Sequence, residues 1–176
     1  PMSAENQVQT RVACLADSAA LARLGAATFI ETFGPMYQAR DLAGFLAGSR
    51  SEEVYAKLLR DPQAHVRLAF LDAKPEPIGY IVVGPCKLPV ANMEPTAGEV
   101  RELYVLSKYQ KHKLGTLLMV EGLQWLESQR RTPLYVGVYS ENLGAQRLYA
   151  RFGFNRVGEY DFPVGKHIDR EFILKR

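Results

Sequence analysis

The sequence predicts one mixed α/β domain, a central sheet flanked by helices, and three observations carry that prediction. The chain has 176 residues, 47% of them apolar and 23% charged. That is long enough to bury a core without a disulfide or metal staple, and the composition excludes a disordered, collagen-like or disulfide-dense chain. Apolar residues recur at helical spacing up to about residue 62 and alternate thereafter. Beyond residue 100, strand-like and helix-like stretches follow one another in turn, the order of a sheet built with helical crossovers. A single domain over 1–176 is expected, with a helical part at 5–62 and a sheet-forming part at 63–176.

The elements follow in order. Asp17 and Ser18 offer N-caps to an apolar stretch with Leu21, Leu24, Thr28 and Phe29 at helical spacing, and Gly34-Pro35 stops it after Phe33. A second helical patch lies around Leu42–Leu46. A third runs from Ser51 to Arg60, with an acidic first turn and Asp61-Pro62 as its stop. Val66, Leu68 and Phe70 then alternate, Lys74-Pro75-Glu76-Pro77 makes a turn, and Ile78–Val83 returns, which is a hairpin. Residues 84–98 hold three prolines without periodicity and read as a long surface loop. Val100–Leu106 reads as a strand. Leu114 to about Arg130 reads as a helix with Leu114, Leu117, Leu118 and Trp125 on one face. Leu134–Tyr139 is apolar enough for a central strand. Ser140-Glu141-Asn142 opens a helix through Phe152, closed by Gly153. Two last strands, around Asn155–Phe162 and Ile168–Leu174, flank the turn Pro163-Val164-Gly165-Lys166.

Charge is unevenly spread. Residues 1–99 carry 9 basic and 11 acidic side chains, whereas residues 100–176 carry 13 and 8, within a total of +3. The basic half suits an anionic ligand and the acidic half a cationic one. A total so small does not favour nucleic acid. Cys14 and Cys86 stand far apart with no CxxC spacing and no neighbouring histidines, so they read as free thiols packed as small hydrophobes, and no metal is expected. No apolar run approaches the roughly 18 residues of a spanning helix, so no membrane is expected. Pro1–Asn6 lacks the order of a signal peptide, and a cytoplasmic location is expected.

The most informative stretch is Leu103-Tyr104-Val105-Leu106 followed by Gln110-Lys111-His112-Lys113-Leu114-Gly115-Thr116. A strand passes through a short basic loop into a helix, whose N-terminus presents unpaired N–H groups and a positive dipole end. Gly115 permits close approach of backbone, and the loop adds charge, so the junction suits phosphate or pyrophosphate. Taken alone it equally fits a solvated basic turn. The downstream stretch Asn142-Leu143-Gly144-Ala145-Gln146-Arg147-Leu148-Tyr149-Ala150-Arg151-Phe152-Gly153-Phe154 changes that balance.

Together the two blocks resemble the GNAT superfamily of acyl-CoA-dependent N-acyltransferases. Gln110 to Gly115 resembles its pyrophosphate loop, Gln/Arg-x-x-Gly-x-Gly/Ala. Asn142, Ala145, Leu148, Tyr149, Gly153 and Phe154 match its Asn-x-x-Ala-x-x-Leu-Tyr-x-x-x-Gly-Phe signature. The resemblance covers about residues 65–176. One position departs from it: the loop's first glycine is Lys113, which is expected to sit at a helical φ with its charge near phosphate. Phe29-Ile30-Glu31-Thr32-Phe33, Asp41-Leu42, Gly137-Val138-Tyr139 and the terminal hairpin also resemble the bacterial polyamine acetyltransferase branch, although Val164-Gly165-Lys166-His167 carries less acid than that branch has in its last turn.

The resemblance implies a GNAT fold, with acetyl-CoA as cosubstrate bound by residues 63–176 and an amine acceptor met by residues 5–62. It implies direct attack by a primary amine, of a small polyamine-like molecule or of a protein or peptide. Backbone N–H groups from Lys111 to Thr116, with Gln110, would hold the pyrophosphate. Leu103, Tyr104 and Val105 would lie on a splayed strand, with the Val105 N–H facing the thioester carbonyl. Glu99 is the implied general base and Glu102 the second choice; each also fits a solvated strand-end carboxylate. Tyr149 is the implied general acid, or else a core aromatic. Asn142, Ala145 and Arg151 would touch the cofactor, although Asn142 fits an N-cap and Arg151 a surface charge equally well. Glu31, Thr32, Phe33 and Tyr139 would line the acceptor pocket or simply pack. His167 is placed where a proton shuttle would sit, and His65 reads as structural. The alternative class is a CoA-binding regulatory module without turnover, kept open by Lys113. A nucleic-acid module ranks third, and a homodimer is compatible with such a domain.

Overall fold

Both faces of the 65–85 hairpin are apolar, which places it in the middle of a sheet. The computed structural model describes residues 7–176; the reading of Pro1–Asn6 falls outside the described residues. The elements are β1 (Val8–Val12), α1 (Ser18–Phe33), α2 (Ala39–Ser49), α3 (Glu52–Arg60), β2 (His65–Leu71), β3 (Gly79–Pro85), β4 (Gly98–Val105), α4 (Leu114–Ser128), β5 (Leu134–Tyr139), α5 (Leu143–Arg151), β6 (Asn155–Val164) and β7 (His167–Lys175). The strands form one sheet in the order β1-β2-β3-β4-β5-β7-β6. Only β4 and β5 run parallel, as the α4 crossover between them requires.

The two faces of the sheet bury different residues of the same strands. Ala69, Leu71, Ile81 and Val83 pack against Leu114, Leu118, Met119 and Leu123 of α4 and Tyr149 of α5. Leu68, Tyr80 and Val82 pack on the other face against Leu21 and Leu24 of α1 and Tyr55 of α3. A third cluster joins Phe29, Phe33 and Tyr37 to Val164, with Phe45 and Phe162 against it, and fastens α1 and α2 to the terminal hairpin.

Most predicted boundaries hold to within two or three residues. Four features differ. Strand β1 has only two apolar residues in VQTRV; it pairs with β2 along the sheet edge, where the pattern is weak. Residues 107–112 form a 3-10 turn between β4 and α4. The 84–98 stretch is not simply a surface loop: Cys86, Leu88, Val90 and Met93 pack against Ala97, Tyr135 and Ile173. Leu117 is 37% exposed, so the apolar face of α4 is carried by Leu114, Leu118 and Leu126. Cys14 is exposed and Cys86 half-buried, both as free thiols.

A cleft opens where β4 and β5 part. Their ladder has three pairs, Gly98–Leu134, Glu99–Tyr135 and Val100–Val136. Beyond these, β4 keeps pairing with β3 and β5 with β7. A bulge places Val100 opposite Val83 and Glu102 opposite Val82, so two residues of β4 span one step of β3. Because Val82 belongs to the α1 face, the bulge turns Glu102 and Tyr104 toward that face as well.

Candidate active site

The cleft has a volume of about 670 Å³ and runs from the N-terminus of α4, through the gap between β4 and β5, to the aromatic cluster under α1 and α2. It joins the helix N-terminus end to an acidic end. Gln110, Lys113, Gly115 and Thr116 line the first, with Asn142, Gly144, Ala145, Leu148, Tyr149 and Arg151 from α5 and its cap. A Cβ added at Gly115 would meet only Leu148, at 3.5 Å, so the glycine keeps cleft space open rather than avoiding its own protein. The Leu106 N–H donates to Ile78 O at 2.9 Å on the β3 side. Strand alternation therefore turns the Val105 N–H and C=O toward the gap, where the carbonyl accepts Gln110 Nε2 at 3.2 Å.

Lys113 is left-handed, with φ 56° and ψ 27°, instead of at the helical φ expected from sequence. It joins the 3-10 turn to α4 at a position where glycine carries no Cβ penalty and lysine costs about 1 kcal/mol. Lys111, His112 and Leu114 do not line the cleft; Leu114 is a core residue at 1% exposure.

Tyr149 is 6% exposed, and among the described residues its hydroxyl has no hydrogen-bond partner. Burial, then the nearby Tyr104 and Glu171, push its phenol well above the ordinary value, so it stays protonated at neutral pH. Asn142 caps α5, its Oδ1 accepting the Ala145 N–H at 3.1 Å, and also lines the cleft. Arg151 is exposed at the cleft edge.

The carboxylates separate by environment. Glu99 is 6% exposed but lies outside the cleft, accepting the Lys87 N–H at 2.8 Å. Glu102 lines the cleft, yet its Oε1 accepts Tyr55 at 2.8 Å and Tyr80 at 3.0 Å and lies 3.3 Å from Arg50 Nε. Glu31 is exposed and accepts the Ser107 N–H at 2.9 Å, away from the cleft. Thr32 lines it with its hydroxyl bonded to Thr28 O at 3.0 Å; Phe33 and Tyr139 line it with rings 5.6 Å apart.

Other side chains complete the acidic end, and no sequence motif marks them. Asp169, 3% exposed, accepts the Tyr37 hydroxyl and pairs with His167 Nε2 at 2.9 Å. Glu171 faces the cleft beside it. Arg50 sits over Phe29 and Phe45, its guanidinium carbon 5.5 and 5.3 Å from the ring centres. The alternation His167, Asp169, Glu171 is the available signal: three polar residues at period two on a strand whose other side, Ile168, Arg170, Phe172 and Leu174, is mostly apolar. Asp169 and Glu171 thus lie on the strand rather than in the hairpin turn. Asp41 instead faces the turn, where the Lys166 N–H approaches it at 3.4 Å.

Burial raises Glu99 from 4.5 to about 7, and raises Glu171 equally, with Asp169 adding to the effect. A carboxyl whose pKa rises on folding holds its proton more tightly in the folded chain. Its contribution to stability is complete below about 4.5 and is lost as pH climbs through about 7. Thermal stability is therefore expected to fall between about pH 5 and pH 8. Glu99→Gln, which keeps an oxygen for the Lys87 N–H, should remove on the order of 2–3 kcal/mol of that fall. Melting curves across this range check it; an unchanged slope in the variant would rule Glu99 out as a source.

Among the described residues no group of three or more His, Cys, Asp and Glu side chains could hold a metal ion, and no helix is long and apolar enough to cross a membrane. Residues 30–154 match the acetyltransferase (GNAT) family. The chain is 27% identical over 153 residues, covering 85% of each protein, to an uncharacterized N-acetyltransferase of Lactobacillus delbrueckii subsp. lactis. It is 25% identical to one from Mycobacterium tuberculosis over 162 residues, 92% of this chain and 98% of that protein. Its fold is similar to that of the PaiA N-acetyltransferase from Thermoplasma acidophilum, solved in complex with coenzyme A, with a TM-score of 0.75 at 18% identity over 97% and 98% of the two chains. An acetyltransferase from Streptococcus pneumoniae gives a TM-score of 0.73 at 20% identity, covering 97% and 99%.

Proposed function

The chain belongs to the acetyltransferase (GNAT) family, and on that premise we propose that it moves the acetyl group of acetyl-CoA onto the primary amine of a cationic acceptor by direct attack. One observation carries this reading: a single cleft connects the α4 N-terminus to a chamber lined by carboxylates and aromatic rings, with the parted strands β4 and β5 between them. Acetyl-CoA supplies the activated acyl group, a thioester carbonyl.

The residues present fit that cosubstrate. A Cβ at Gly115 would meet only Leu148, and on this reading a phosphate would lie there against the backbone N–H groups of Gly115 and Thr116. Gln110, Lys113, Asn142, Ala145 and Arg151 would flank it, and Leu103, Tyr104 and Val105 would line the acyl end. The Val105 N–H is the proposed donor to developing negative charge on the carbonyl oxygen, a contribution worth roughly 3–4 kcal/mol when preorganised. Tyr149 is the proposed acid, holding its proton for the departing sulfur. Thr32, Phe33 and Tyr139 would contact the acceptor, a polyamine-like small molecule or the amine of a peptide.

Release of CoA thiol by the pure protein, with acetyl-CoA and putrescine, benzylamine or trialanine, tests the reading. Thiol release above background with at least one amine is expected. Calorimetric binding of acetyl-CoA without release would assign the chain to a CoA-binding module instead.

Lys113 offers a separate check. Lys113→Gly should raise the unfolding free energy by about 1 kcal/mol by relieving the left-handed strain. It should also weaken acetyl-CoA binding, more at low salt than at high salt. Denaturant titration and calorimetry at two ionic strengths measure both effects. Equal affinity at low salt would show that the lysine charge does not reach the phosphates.

A further inference from the structure

Four carboxylates lie on or near the chamber: Glu99, Glu102, Asp169 and Glu171. Three of them are already engaged. Glu99 accepts the Lys87 N–H outside the cleft, Glu102 is held by two tyrosines and Arg50, and Asp169 by Tyr37 and His167. Among the described residues, the Glu171 side chain lines the cleft with no hydrogen-bond or ion-pair partner.

Its position is specified by register. Glu171 pairs with Tyr139 of β5 on one side and Tyr160 of β6 on the other. Tyr139 ends β5, beyond the point where β4 has left, so Glu171 stands on the face where the gap opens. It lines the same cleft as Tyr104 and Tyr149, so it shares a chamber with the proposed acid. Phe33, Tyr37, Tyr139, Tyr160 and Phe162 surround that chamber, and aromatic faces attract an ammonium group.

Resting on the acetyl-transfer reading above, we propose that Glu171 receives the acceptor's ammonium group and takes its proton, so that it acts as the general base of the reaction. An alkylammonium titrates near 10 and is almost wholly protonated at neutral pH. Glu171 removes one proton, and the freed nitrogen pair forms the new C–N bond. The C–S bond breaks with its electron pair going to sulfur, which takes the Tyr149 proton. The nitrogen's surplus proton leaves as the amide forms and restores Tyr149, and Glu171 returns its own proton to solvent, so the balance is one proton released per acetyl group moved.

The surroundings of Glu171 favour this role. Burial, with the Asp169 charge beside it, brings its carboxyl up to about 7, where a base is half deprotonated at working pH. Tyr139 of β5, Tyr160 of β6, Tyr104 and Glu102 of β4, Tyr149 of α5 and Arg50 after α2 also line the chamber. Of these Arg50 is cationic and already pairs with Glu102, while Arg101 of β4, which also lines the cleft, donates to Pro85 O.

The experiment is the pH profile of kcat/KM for thiol release with putrescine, benzylamine and trialanine, in wild type, Glu171→Gln and Asp169→Asn. Wild type should show a limb rising with pH through about 7. Glu171→Gln should lose that limb and about 10²–10³-fold in kcat at neutral pH, while its acetyl-CoA affinity by calorimetry stays within about two-fold. Asp169→Asn, which removes a neighbouring negative charge, should move the limb to lower pH. If Glu171→Gln does not fold, Glu171→Asp should keep the limb at a reduced rate. Retention of the limb in Glu171→Gln, or its loss in Glu99→Gln or Glu102→Gln instead, would overturn the proposal. A wild type inert toward all three amines would defeat the acetyl-transfer reading itself, and this proposal with it.

Discussion

Replacing Tyr149 by Phe is expected to slow acetyl transfer by about 10²-fold at saturating acetyl-CoA while leaving acetyl-CoA affinity within about two-fold. The side chain packs in the α4–α5 core, so Phe keeps its apolar contacts. Only the hydroxyl is lost, and among the described residues it has no partner whose loss would disturb the fold. A positioned acid contributes about 10²–10⁴-fold. The lower end applies because a thiol near pKa 8.5 is a tolerable leaving group without protonation. Steady-state kinetics beside calorimetry separate the two quantities. Equal turnover in the variant would leave the hydroxyl with no part in the reaction, and a matched loss of affinity would make it a binding group.

Arg50→Ala is expected to cost about 3–5 kcal/mol of stability. Arg50 follows α2, with 12% of its side chain exposed, and its partner Glu102 shows 15%. The Nε–Oε1 contact of 3.3 Å is ionic rather than a well-aligned hydrogen bond. Tyr55 and Tyr80 satisfy Glu102 but do not neutralise it. Truncating Arg50 therefore leaves a buried negative charge and also strips a cation from the faces of Phe29 and Phe45. Pairing Arg50→Ala with Glu102→Gln should recover part of the loss, because the uncompensated charge goes with it. Denaturant unfolding of both singles and the double variant measures the coupling. A loss below about 1 kcal/mol in Arg50→Ala would mean that water reaches the pair.

What could be read from sequence followed the reach of each signal along the chain. Gly34-Pro35 ended α1 at Phe33, and the apolar run Leu134–Tyr139 gave β5 its full span, because stops and periodicity act within a few residues. The strand–turn–helix junction was legible for the same reason: strand, loop and helix N-terminus are contiguous from Leu103 to Thr116. The acidic end was not. Arg50, Tyr37, Asp169 and Glu171 come from three separate regions and meet only because β7 lies beside β5 and α2 packs over the hairpin. Singly, each looks like a surface charge or a core aromatic. Glu31 and Glu99 stand out only through the family resemblance, and neither lines the cleft: one side chain accepts the Ser107 N–H and the other the Lys87 N–H. The handedness of Lys113 went against the expected helical φ, since a lysine side chain carries no mark of positive φ.

The short β4–β5 ladder leaves the sheet as two half-sheets that share three rungs. Backbone donors and acceptors past Val100 lack the neighbour that an unbroken sheet would provide, so a ligand bonded along the gap occupies the role of the absent strand. Binding and completion of the sheet then become a single equilibrium. The native chain is made more stable by RT ln(1 + [L]/Kd), about 2.7 kcal/mol at a hundred times Kd. Were acetyl-CoA to bond along this opening, the robustness of the fold would be coupled to the supply of that molecule.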